Sequence, residues 1–156
     1  MNTETTTRMD AIVELWRASI KPGITKALDL TPDDKMEWKP EDTFLTFGEV
    51  FLHIARTSGW WYDEFMHGRK REPVDEGFGY TKKELAEQLD GHWKRMEQFF
   101  AEPTDAFEKI YQIEHEGKIH KFSGCWVFIH MLEHDIHHRC QINQYLRILG
   151  IKPPEV

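Results

Sequence analysis

Residues 127–149 read VFIHMLEHDIHHRCQINQYLRIL, and no other stretch of the chain constrains its architecture as tightly. Val127, Met131, His134, His138, Gln141, Tyr145 and Leu149 recur at spacings of three and four, and Ile142 and Ile148 widen the stripe. That periodicity predicts a long helix with one buried face. Ser123 is placed to cap its start, and Gly150 with Pro153 and Pro154 follows its end.

Within it, His134-Asp135-Ile136-His137-His138 sets histidines where a helix core expects Leu or Val. A helix advances about 100° per residue, so His134 and His138 lie about 40° apart, one above the other. A buried neutral imidazole costs about 1–3 kcal/mol unless its nitrogens find partners. Either hydrogen bonds to carbonyls and carboxylates or one shared metal ion must supply them. Histidines at i and i+4, in a chain of nine histidines, favour the metal. His130, one turn earlier, is a reserve ligand, and His137 is displaced by about 60° on the other side of His134.

Working outward, three further helices are expected. The first spans residues 6–28, with Met9, Ile12, Val13, Trp16, Ile20, Ile24 and Leu28 inward and a kink or break at Lys21-Pro22-Gly23. A long connection carrying Pro32 and Pro40 leads to Thr46-Phe47-Gly48-Glu49, a capping box that opens the second helix, ending near His67. Its inward stripe is Val50, His53 or Ile54, Thr57, Trp61 and Phe65, which makes His53 the best third partner for His134 and His138. A loop carrying Pro73, Gly77 and Gly79 follows, and a second capping box, Thr81-Lys82-Lys83-Glu84, opens a helix that stops before Pro103. Residues 105–122 break the helical period and predict a small hairpin turning at Gly117. The fold class is therefore all-α: four helices with long connections and a hairpin before the last, in one domain over residues 1–156.

Composition narrows the function. Lys plus Arg number 20 against 27 Asp plus Glu, a formal charge of −7 that disfavours nucleic acid. No apolar run approaches the about 20 residues of a membrane span, and the N-terminus lacks the pattern of a signal peptide, so a cytoplasmic location is expected. Cys125 and Cys140 stand about 22 Å apart along one helix and are expected as reduced thiols, Cys140 packed and inert. Glu64-Phe65-Met66-His67 has the Glu-x-x-His spacing of di-iron bundles, but no second copy faces it, and solvent-facing positions at a helix end account better for both residues. Trp60, Trp61, Tyr62, Trp93 and Trp126 read as core or pocket wall, with an aromatic mouth over the metal as the alternative.

The run His134-Asp135-Ile136-His137-His138-Arg139-Cys140-Gln141-Ile142 resembles the final-helix pattern His-x-x-His-His-Arg-Gly-Gln-hydrophobic of the DinB/YfiT-like superfamily. Leu52-His53-Ile54-Ala55, followed by Trp60 and Trp61, is similar to that family's second-helix motif. The resemblance implies a DinB-type four-helix bundle, commonly a homodimer, with His53, His134 and His138 as ligands to a divalent metal such as zinc or nickel. It also implies a small-molecule substrate and thiol chemistry, an S-transferase-like reaction using a low-molecular-weight thiol. A metal-dependent hydrolase and a non-catalytic metal-binding stress-response protein are the alternatives. No catalytic residue is assigned; Glu49 and Asp135 are candidates for orienting the imidazoles. Cys140 departs from the family pattern, standing where glycine is usual.

Overall fold

Both capping boxes form as their spacing requires. In a computed structural model describing residues 8–71 and 79–155, the Glu49 amide donates to Thr46 Oγ1 (3.2 Å) and the Thr46 amide to Glu49 Oε2 (2.7 Å). Thr81 and Glu84 repeat the exchange. These caps open α3 (Phe47–Ser58) and α4 (Lys82–Phe100). Ahead of them lie α1 (Arg8–Leu15) and α2 (Lys21–Leu30), and after them the short α5 (Thr104–Glu108), strands β1 (Ile110–His115) and β2 (Lys118–Ser123), and α6 (Gly124–Ile148). The expected start of the first helix at residue 6 and the loop positions Pro73 and Gly77 lie outside the described residues.

The first helix does not break at Pro22. A π turn, Trp16–Ile20, joins α1 to α2, and the Lys21 amide reaches back to the Trp16 carbonyl, so the missing proline N–H falls in the first turn of α2. A second π turn, Gly59–Met66, continues α3 and widens the helix at Trp60 and Trp61. Helix two thus ends near His67 as expected, but its register shifts after Ser58, where an uninterrupted helix was expected.

Helix α3 packs along α4 and against α6, while α2 touches both α4 and α6. Ile24, Phe47, Phe51, Ile54, Leu85, Met96, Phe99, Phe128 and Met131 are fully buried between them. The connection before α3 is strapped to it by amides of Phe47 and Gly48 bonding the Trp38 and Met36 carbonyls. Ile148 lies outside the buried stripe, 61% exposed. The hairpin turns at Glu116-Gly117, both at positive φ (51° and 74°), as a two-residue type I′ turn requires. Phe122 at its end stacks on Trp126 (4.1 Å) and meets Phe65 (5.8 Å), so the hairpin buttresses the widened end of the second helix. No described helix is long and apolar enough to cross a membrane.

Candidate metal centre

His134 and His138 are four positions apart, and α6 brings their rings edge to face with centroids 4.4 Å apart. From α3, His53 closes a triangle, its ring centroid 4.7 Å from each of them. One nitrogen from each imidazole falls within 4.8 Å of the others, the one such His, Cys, Asp or Glu group among the described residues compact enough to hold an ion. The Nε2 atoms of His53 and His134 approach to 2.9 Å, a contact that neutral rings tolerate only with a proton or a cation between their lone pairs.

His53 was expected on the inner face. It sits instead at the solvent edge, with Ile54 filling the core position beside it. His138 is nearly buried at 9% exposure, and His134 lies beneath the rim with Nδ1 enclosed and unpartnered. Burial first, then the neighbouring imidazoles of His138 and His53, push the His134 pKa down to about 2. Burial likewise lowers the pKa of His53 and His138. All three rings are thus neutral near neutral pH, the state in which imidazole carries a free lone pair.

The orienting group for this cluster is Gln141, which sequence reading assigned only to the buried stripe. Tyr145 donates to the Leu45 carbonyl (2.8 Å) and accepts from Gln141 Nε2 (3.1 Å), which leaves Gln141 Oε1 to accept from His138 Nδ1 (2.8 Å). This chain of donors places the His138 proton on Nδ1 and frees Nε2 for the cluster. Thr57 Oγ1 donates to the His53 carbonyl (2.9 Å) and lies 3.0 Å from His134 Nε2, which seats that ring beside His53.

Asp135 and Glu49 do not orient the cluster. Glu49 is spent on its cap, and Asp135, fully buried, accepts from Trp16 Nε1 (2.9 Å) and pairs with His92 Nε2 (3.0 Å). His92 Nδ1 meets Ser58 Oγ (2.8 Å), which also accepts from Arg95 Nε (2.8 Å). This second polar cluster links α3, α4 and α6 to the Trp16–Ile20 turn, and sequence reading gave no sign of it. Glu64 and His67, expected to face solvent, have separate partners: Glu64 pairs with Arg71 (2.6 Å), and His67 Nε2 hydrogen-bonds Glu102 (2.8 Å). Cys140, expected to be packed, is exposed like Cys125, because it lies on the outward side of α6.

A cleft of about 470 Å³ opens beside the triangle, lined by His53, His134, Arg56, Thr57, Trp60 and Trp61. His130 and Arg71 complete its wall. His130 stacks on Trp126 and stays outside the three-histidine group, as does the exposed His137. Trp60 and Trp61 thus stand as pocket wall, one of the roles expected of them.

Comparison with known proteins gives the same outline. A model of the DinB family matches residues 1–156. A DinB-like protein from Bacillus cereus ATCC 10987 has the same fold, with a TM-score of 0.70 at 15% identity, covering 97% of this chain and 99% of its own. A DinB-like protein from Bacillus subtilis follows at 0.69 and 18%, covering 93% and 96%. A search of curated proteins finds no match.

Proposed function

Because this chain belongs to the DinB family, we propose that it is a divalent-metal-dependent enzyme of thiol S-transferase type, with His53, His134 and His138 as metal ligands. The observation that carries the reading is the convergence of three neutral imidazoles, two of which line an open cleft. Nitrogen donors of this kind suit zinc or nickel, and the 2.9 Å approach of the His53 and His134 Nε2 atoms supports a cation between them. A divalent ion held there supplies Lewis acidity and lowers the pKa of a bound thiol or water. The chain's residues do the rest: Gln141 holds the His138 tautomer, Thr57 props His134, and Trp60 and Trp61 wall off solvent from one side of the cleft.

The setting proposed for this chemistry is one DinB-type four-helix-bundle domain over residues 1–156, cytoplasmic, acting on a small molecule. Ile129 and Ile136, seven apart and exposed on α6, support a homodimer. The test is metal content of tag-free protein, followed by thiol conjugation to an electrophilic aromatic or epoxide. His53→Ala, His134→Ala and His138→Ala should each strip the metal and abolish conjugation, while His137→Ala retains both. Metal retained without turnover of any thiol would move the ion to a structural role, and hydrolysis of an ester or amide would make the protein a hydrolase.

A further inference from the structure

Arg56 stands one turn after His53 on α3 and lines the same cleft. Its Nε and Nη2 atoms are enclosed and have no hydrogen-bond partner among the described residues. Folded proteins rarely leave such donors unmet, and a guanidinium remains charged even though burial lowers the pKa of this one. The identity of the unmet pair matters: Nε–H and one Nη2–H form a single edge of the planar guanidinium, parallel donors spaced for the two oxygens of a carboxylate. The other arginine of the wall, Arg71, is already matched by Glu64 at 2.6 Å, so among the described residues Arg56 is the guanidinium of the wall left for an anion. Beside it stand the half-buried rings of Trp60 and Trp61, set edge to face at 4.4 Å.

We propose that Arg56 is a substrate-carboxylate anchor, and that the small molecule handled at the three-histidine site bears a carboxylate joined to an apolar, ring-sized body lying against Trp60 and Trp61. Its role as a substrate anchor rests on the metal-site reading; its capacity to bind a carboxylate does not. The Nε/Nη2 edge is enclosed in the unliganded protein, so the guanidinium turns into the cleft to take the carboxylate, one turn of α3 from His53. Arg56 touches substrate away from the reacting atoms and sets which substrates are accepted.

Calorimetric titration with benzoate, benzyl alcohol and phenyl phosphate tests this, on chelator-treated protein and on protein given zinc. Benzoate should bind both forms. Arg56→Gln should weaken it about tenfold to a hundredfold, the range for losing a charge-assisted hydrogen-bonded pair, and Arg56→Lys should restore part of that loss. Benzyl alcohol should bind wild-type protein at least about tenfold more weakly than benzoate, a comparison that needs no variant to fold. Benzoate binding that appears only with zinc and survives Arg56→Gln would place the carboxylate on the metal and overturn the assignment, as would equal binding of benzoate and benzyl alcohol. Tighter binding of phenyl phosphate would overturn the carboxylate in favour of a phosphate. Arg56-dependent benzoate binding in a protein that takes up no zinc would support the anchor while ending the metal reading.

Discussion

Acidifying the metal-free protein should cost it stability through His134. In the folded chain this imidazole titrates at about 2, because burial and the rings of His138 and His53 disfavour its charge; unfolded, it titrates near 6.5. The folded state therefore refuses a proton that the unfolded state accepts, so its full stability is present above about pH 6.5 and declines as pH falls. The slope approaches 1.4 kcal/mol per pH unit for one such group, so His134 alone removes about 2 kcal/mol by pH 5. That is a large share of a domain stability of about 5–15 kcal/mol. The lowered pKa values of His53, His130 and His138 act in the same direction and steepen the fall. The assay is urea unfolding of chelator-treated protein at several pH values from about 7.5 to about 5, with His134→Leu beside the wild type. Leucine fills the site and cannot be protonated, so the two stability curves should diverge below about pH 6.5 by the amount worked above. Curves that stay parallel to about pH 5 would mean that His134 is protonated in the folded state, and the account of a buried, neutral cluster would be wrong.

Three further outcomes are expected. Gln141→Leu removes the acceptor that holds the His138 proton on Nδ1, and zinc affinity measured by chelator competition should drop about tenfold to a hundredfold; an unchanged affinity would show that His138 needs no orienting group. Asp135→Ala leaves the fully buried His92 and the Trp16 indole without their shared acceptor. It should cost about 3 kcal/mol in urea unfolding, while lowering zinc affinity less than Gln141→Leu does. Gly124→Ala would set a Cβ 2.0 Å from the Ala106 carbonyl oxygen and 2.8 Å from Phe107 Cα; α5 must move away from α6, and a melting temperature equal to that of the wild type would contradict the close approach seen there.

The elements that sequence reading placed well are those whose physics is local. Thr46 with Glu49, Thr81 with Glu84, and Ser123 with the Trp126 amide are contacts across three positions, and the Glu116-Gly117 turn is two residues long. The pairing of His134 with His138 belongs to the same class, because one helical turn brings them together whatever surrounds the helix. The Arg56 edge was not legible, since an arginine at i+3 from a histidine looks the same whether it is solvated or enclosed. The π turns were not legible either: neither Trp16–Ile20 nor Gly59–Met66 contains a proline or a motif that marks a change of helical register.

Spacing in the chain thus determined the caps, the hairpin and a histidine pair on one face of the last helix. Only the tertiary structure decided that His53 would come from the rim of α3, that Gln141 would orient His138, and that Asp135 would turn away to Trp16 and His92. These choices depend on how far each helix is rotated and slid along its neighbours. Packing of residues such as Phe47, Phe51, Met96 and Met131 sets that rotation, and partners separated by 43 positions, as His92 and Asp135 are, or by 119, as Trp16 and Asp135 are, meet only once it is set.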